Sequence, residues 1–232
     1  MICALTAVST RTIPSGCEGG THMRSIVSVT AAAETPYRLT TLERIKRELG
    51  ISDGGSDDLL QNKIDEAGSD IQAALGFVVA RETVTETFRG GGCEASLPLN
   101  RTPVATITSV TVDDVALAAS EYEVETATGI LHRLDTSGYP VAWEFCRAIV
   151  VVYAGGYILP GNAGANLEPA IEAGCIDLVS AFWAARGRDP MVRAEDIPDV
   201  MRTEYWVGSV GEAGDLPPSV MAKIARFRRP AA

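Results

Sequence analysis

The residues of this chain that could do chemistry are few, and their spacing does not suit it. His132 is the one histidine beyond the first 38 residues. It sits in the alternating run Ile130-Leu131-His132-Arg133. A lone imidazole beside a strand, without a nucleophile or an orienting carboxylate near it in the pattern, is a poor general base. Asp113 and Asp114 are adjacent carboxylates in a turn. Neighbouring residues at a strand end point to opposite faces, so the two do not form an acid–base pair. Gly90-Gly91-Gly92 lacks the following helix and lysine that cradle a phosphate, and reads as a hairpin loop. The five cysteines, Cys3, Cys17, Cys93, Cys146 and Cys175, form no Cys-x-x-Cys pair, and no histidine stands at metal-ligand spacing from them. They read as reduced thiols rather than a disulfide framework. There is no Gly-x-Ser-x-Gly elbow, no His-Glu-x-x-His and no Walker loop. The expectation is therefore no catalytic residue, no cofactor and no metal.

What remains is a scaffold with charges. At 232 residues the chain suggests one to two domains with a real core. Hydrophobic residues make up 46% and charged residues 22%, as in ordinary globular proteins. A net charge of -10 disfavours binding to DNA phosphates. No apolar run approaches the roughly 18 residues of a membrane span. The charge is uneven, however. Glu195 to Asp215 holds six acids and one arginine, whereas Leu216 to Ala232 has no acid and carries Lys223, Arg226, Arg228 and Arg229. An acidic run followed by a basic tail suits an assembly device. Val220, Ile224 and Phe227 add an apolar ridge to that tail.

Residues 1–38 are rich in Ser, Thr, Ala and Gly, lack a period, and are expected to be a flexible leader or arm, with Met23 a candidate start. From Thr41 the spacing predicts a short helix carrying Leu42, Ile45 and Leu49 and stopping at Gly50. A second helix, capped by Asp57 or Asp58, carries Leu60, Ile64, Ala67, Ile71 and Ala74 and ends at Gly76. The period then changes to two. Val84 to Phe88, Thr106 to Val112, Tyr122 to Glu125, Ile130 to Arg133 and Ala148 to Tyr153 read as short strands of a meander. Asn166 is the expected cap of a long helix with Ile171, Cys175, Leu178 and Phe182 on its buried face, ending near Arg186. A last short helix starts at Pro217-Pro218-Ser219. The fold class is α+β: a helical bundle with an inserted antiparallel β meander (about 80–154) and an extended C-terminal tail. Three stretches follow: 1–38 as leader, 39–190 as helical core with its β insert, and 191–232 as C-terminal extension.

Several pieces occur in a characteristic order. They are Thr41-Leu42-Glu43, Leu97-Pro98-Leu99-Asn100-Arg101-Thr102-Pro103-Val104 leading to Ile107-Thr108-Ser109-Val110, Tyr153-Ala154-Gly155-Gly156-Tyr157, Glu168-Pro169-Ala170-Ile171, and the ending Ala225-Arg226-Phe227-Arg228-Arg229-Pro230. From Leu39 to Pro230 this order resembles the head–tail connector (adaptor) proteins of long-tailed double-stranded DNA phages and gene transfer agents. The chain departs from that pattern in the leader, in the added Gly156 and in the insertion around Gly161 to Asn166.

The resemblance implies a virion structural protein rather than an enzyme, assembled in the host cytoplasm and resident in the virion neck. It implies a homo-oligomeric ring, dodecameric in relatives, under the portal protein. Such a ring extends the DNA channel, lets double-stranded DNA pass without sequence-specific binding, and receives a head-closure (stopper) or tail-completion protein. No membrane is involved. On this reading Val220, Lys223, Ile224, Arg226, Phe227, Arg228 and Arg229 dock onto the portal. Gly90, Gly91, Gly92, Asp113 and Asp114 are hairpin tips that touch neighbouring subunits or the next ring. The competing class is an α+β module binding a ligand or peptide, or an unrecognised hydrolase. Ring formation or portal binding separates the two.

Overall fold

The computed structural model describes residues 24–89, 92–145, 148–186, 194–197, 201–204 and 216–228. Its helices follow the apolar spacing closely. Helix α1 spans Leu42–Leu49, with the Thr41 hydroxyl accepting the Arg44 N–H at 3.3 Å. Helix α2 spans Asp57–Leu75. Its cap is Ser56 rather than Asp57 or Asp58, and those two acids instead occupy the first turn, where the helix dipole favours them. Both helices end at the expected glycines, Gly50 and Gly76. Helix α3 spans Pro169–Ala185 and starts at Glu168, not Asn166, because Pro169 supplies a ready first-turn φ and needs no N–H partner. Asn166 instead accepts the Ile158 N–H at 2.7 Å and folds the preceding loop. Helix α4 spans Pro218–Ile224, followed by one tight turn to Phe227.

The four helices share one core. Leu60, Ile64, Ile71, Ile171 and Leu178 are fully buried in it, together with Ile45, Cys175 and Ile224. Gly68 lets the incoming chain lie flat on α2, since a Cβ there would stand 1.8 Å from the Tyr37 carbonyl oxygen. One expectation fails. Phe182 is only half-buried at the rim, with the Lys63 ammonium 5.2 Å from its ring centroid. It sits in the last turn of α3, beside the first half of α2.

The strands make a second core. In chain order they are β1 (Arg24–Ala31), β2 (Glu82–Arg89), β3 (Gly92–Glu94), β4 (Leu97–Pro98), β5 (Val104–Val112), β6 (Val115–Ala116), β7 (Tyr122–Glu125), β8 (Ile130–Leu134), β9 (Pro140–Val141), β10 (Trp143–Phe145), β11 (Ile149–Gly155), β12 (Ala194–Ile197) and β13 (Met201–Glu204). The α+β class holds and the named strands pair antiparallel, but the sheet does not follow chain order as a meander would. One sheet is ordered β1-β2-β11-β5-β6 and another β4-β8-β7, with β9 beside β8. Strand β11 becomes central because it is apolar on one face without a break. Ile149, Val151, Tyr153 and Gly155 are all buried, and β2 and β5 flank it. Strand β2 matches it with Glu82, Val84, Glu86 and Phe88 facing in. Trp143 fills the middle, its indole N–H donating to Leu131 O at 3.2 Å.

Two further expectations change here. Residues 24–31, assigned to a flexible leader, form β1 and pair with β2 from Arg24↔Arg89 to Ala31↔Thr83. The run Ser25-Ile26-Val27-Ser28-Val29-Thr30 is β-branched and half apolar, a strand signal that the surrounding Ser and Ala content hides. Gly92, assigned to a hairpin loop, begins β3 and pairs with Phe145, while Gly90 and Gly91 lie outside the described residues. The two cores join where Val79 and Arg81 exchange backbone hydrogen bonds with Tyr157 at 2.8 Å each.

Burial separates two substitutions on α3. Ile171→Ala is expected to lower the unfolding free energy by about 2–5 kcal/mol, as for a closed core site. Phe182→Ala at the rim is expected to cost on the order of 1–2 kcal/mol, in proportion to the smaller area withdrawn from water. Denaturant midpoints of the two variants check the order.

Candidate functional site

Two of the sequence pieces singled out above meet inside the β core. Glu86 has no exposed surface. Its Oε2 accepts the Tyr153 hydroxyl at 2.8 Å and the Asn100 N–H at 2.9 Å. The Tyr153 oxygen in turn accepts the Arg101 N–H at 2.9 Å. Arg101 Nε donates to Glu82 Oε2 at 2.9 Å, and Arg101 Nη1 to Asn100 Oδ1 at 2.6 Å. The Asn100-Arg101 stretch is thereby clamped over β2 and β11. Gly155 permits the close approach, since a Cβ there would lie 2.3 Å from Arg101 O. Among the described residues Glu86 Oε1 has no hydrogen-bond partner. Burial, and then the Glu86 carboxylate, push the Tyr153 hydroxyl well above its ordinary pKa. The cluster is largely shielded from solvent, with the Glu82–Arg101 pair near its edge, and its hydrogen bonds fix the Asn100-Arg101 stretch in place. The sequence reading missed Glu82 and Glu86 as core residues. The one signal was their alternation with Val84 and Phe88.

The expected docking ridge of the C-terminal segment is turned inward. Val220 is 1% and Ile224 0% exposed, both packed on α3, where Gly174 makes room for them. The ridge was real, but its complement is this chain's own helix. Deleting residues from Leu216 onward would therefore open the helical core instead of sparing the fold. Lys223 pairs with Asp177 of α3. Phe227 is half-buried against the core, with Arg226 4.6 Å from its ring centroid. Arg228 Nε donates to Ala74 O at 3.1 Å, on the last turn of α2. Arg226 and Arg228 are exposed, and Arg229 lies outside the described residues.

Asp113 and Asp114 do form the tip between β5 and β6, with φ of 48° and 70°. That pair of left-handed residues is the geometry of a two-residue hairpin. Asp113 also faces inward: its Oδ1 accepts the Ala148 N–H at 3.1 Å, fixing the tip to β11. Asp114 and Val115 are exposed, the latter at 65%. A second rigid tip, which the sequence reading did not single out, follows β8. Asp135 Oδ1 accepts the N–H groups of Ser137 and Tyr139 at 2.8 and 3.0 Å, and Tyr139 stands 70% exposed. The structure does not bring the Asp113 tip and the C-terminal basic residues into one site. They belong to the β and helical halves respectively.

Little else resembles a reactive centre. Cys175 is fully buried, and its thiol is pushed up to about 12 by burial, then by the charges of Glu172 and Asp65. His132 sits on β8, half-buried. Among the described residues no three His, Cys, Asp or Glu side chains gather as a metal site would need. No described helix is long and apolar enough to cross a membrane. A depression of about 260 Å³ between the two halves presents one carboxylate, Glu34, and one guanidinium, Arg81, whose Nε is committed to Gly156 O at 3.3 Å.

Residues 39–122 match the model of a family described as phage gp6-like head–tail connector protein. The match runs from the entry to α1 through the clamped Asn100-Arg101 segment to the start of β7. No curated protein matches the chain. Among solved structures, the fold is shared with a chain of the "Neck of empty GTA particle computed with C6 symmetry", at 15% identity, over 89% of this chain and 97% of that one, with a TM-score of 0.54. It is shared likewise with a chain of the "Virion of native gene transfer agent (GTA) particle", at 14% identity, 89% and 97% coverage and a TM-score of 0.53. The resemblance to head–tail connectors drawn from the sequence order therefore stands.

Two measurements probe the clamp and the buried acids. Tyr153→Phe removes the donor to Glu86 and the acceptor for the Arg101 N–H, and is expected to cost about 1–3 kcal/mol in a urea titration. Cys175 and Tyr153 are acids that the fold holds neutral. Above the ordinary thiol value of 9.0, the unfolded chain has released a proton that the folded chain keeps. Stability should therefore fall as pH rises from about 9 towards about 12. A thermal melt series over that range should show the decline, and Cys175→Ala should make it shallower.

Proposed function

We propose, from the match of residues 39–122 to the gp6-like head–tail connector family, that this chain is a structural connector of a virion neck. The single observation that carries the reading is that match, which spans the two N-terminal helices and the clamped segment together. The shared fold with chains of gene transfer agent particles agrees with it. On this reading the chain forms a ring beneath the portal, continues the DNA channel and passes the path on to a head-closure or tail-completion protein. Assembly would take place in the host cytoplasm. Its work is to hold surfaces in place, and no reaction is assigned to it.

The physical features support the same role. A net charge of -10 gives DNA little to adhere to if acids line the channel. The exposed basic end of the C-terminal segment, Arg226 and Arg228 with Arg229 beyond them, is the proposed portal contact. Val220 and Ile224 brace it from within. The tip at Asp113-Asp114 is the proposed contact to a neighbour or to the next ring, and the Gly90-Gly91-Gly92 stretch is proposed as a second one.

Negative-stain electron microscopy of the purified chain, alone and mixed with its portal, tests the proposal. Rings that stack on the portal are expected. A chain that remains monomeric and leaves the portal bare would overturn the connector reading.

A further inference from the structure

Among the described residues, strand β1 is an edge strand without the usual protection. From Ser25 to Ala31 it holds no charge and no proline, and from Arg24 to Val29 its pairing with β2 is unbulged. Only Val27 is half-buried; Ile26 and Val29 are 46% and 45% exposed. Natural sheets blunt such edges with charge, proline, bulges or a covering element, because a bare edge recruits further strands. The far side of the same sheet offers a second opening. Strand β5 is uncharged from Val104 to Val112, and β6 covers only Thr111 and Val112. Val104 N–H donates to Thr126 O at 2.7 Å, and Val110 O accepts the Leu117 N–H at 2.9 Å. Between them, Ala105, Thr106 and Thr108 are exposed, and among the described residues no strand pairs on that side.

The two openings are complementary. Strand β1 is antiparallel to β2, β2 to β11, and β11 to β5, so β1 and β11 run one way and β5 the other. The β1 strand of a second copy in the same orientation, laid beside β5, is therefore antiparallel to it. One surface of the chain fits a different surface of an identical chain, which is the head-to-tail contact that closes rings. Strand β5 also bulges at Ala105 and Thr108, which the pairing with β11 skips. Bulges can guard an edge, but they also bend and twist a strand, and a sheet running from copy to copy around a ring has to curve.

We infer that the β1 edge of one copy adds as a strand to the Ala105–Ser109 edge of the next, making the sheet continuous around the assembly. The occupant is a second copy of this chain, and the inference rests on the ring reading above. Main-chain hydrogen bonds supply the affinity in such strand addition, so it tolerates the plain Ser/Thr/Val composition of both edges.

Proline tests it, because it removes one N–H from an edge. Successive N–H groups alternate sides of a strand. Ser28→Pro or Val29→Pro on β1, and Thr106→Pro or Ile107→Pro on β5, therefore each include one outward position, identified as the variant whose monomer melts like the unaltered chain. Each outward variant alone should weaken self-association at least tenfold in mass photometry. An equimolar mixture of a β1 variant and a β5 variant retains one intact pair of edges, so it should give dimers and nothing larger. Independently, amide exchange at Ser25–Val29 and Ala105–Ser109 should slow at least tenfold when the unaltered chain assembles. Rings that form unchanged with either outward variant, a mixture without dimers, or exchange that assembly does not alter would overturn the strand addition and leave the ring reading intact. An unaltered chain that never forms rings would instead sink the ring reading first.

Discussion

Glu86 is a carboxylate with no exposed surface, and the β half of the molecule gathers its donors on one of the two oxygens, Oε2. Its oxygen collects the Tyr153 hydroxyl and the Asn100 N–H, and Tyr153 in turn receives the Arg101 N–H. The neighbouring Glu82–Arg101 pair is nearly as enclosed, with side-chain exposures of 9% and 11%. Buried charges add little net stability over well-packed apolar residues, because removing them from water costs so much. Their consequence is selectivity. With the Asn100-Arg101 stretch displaced, Glu82 would lose its Arg101 partner and Glu86 the Asn100 N–H, so that arrangement is disfavoured. The clamp thus sets where β5 begins and which side of β11 it pairs with.

The helical half depends on a simpler constraint. None of its helices has a face wide enough to be stable alone, and the four close on one another. The short α4 helix completes that closure by placing Val220 and Ile224 on the Gly174 side of α3. A segment that looks in sequence like a tail for a partner is in fact a wall of the core, and only its basic outer side remains for contacts. This changes the expected effect of losing it, because a partner-binding defect and a folding defect would arrive together.

With both cores closed, what the described residues leave open is at their borders. These are the sheet edges, two rigid tips held by Asp113 and Asp135, and the exposed Arg226 and Arg228. Such surfaces are small, separate and oriented differently.

The amino-acid sequence by itself determined the helices, because their apolar spacing, Thr41 and the two terminal glycines act within a few residues of one another. It determined the positions of β2, β5, β7, β8 and β11 through the change to a period of two, and the α+β class with them. The order of pieces along the chain carried the likeness to head–tail connectors. Tertiary structure alone decided the sheet order, since β2 and β11 pair across more than 60 residues and local pattern does not encode which strands pair. It also decided that β1 pairs with β2, that Phe182 sits at a rim, and that Val220 and Ile224 face inward. An amphipathic pattern says that a face must be covered but not by what. For α4 the covering surface was another part of the same chain. For Glu86 it was a tyrosine 67 residues away, which no local signal could have paired with it.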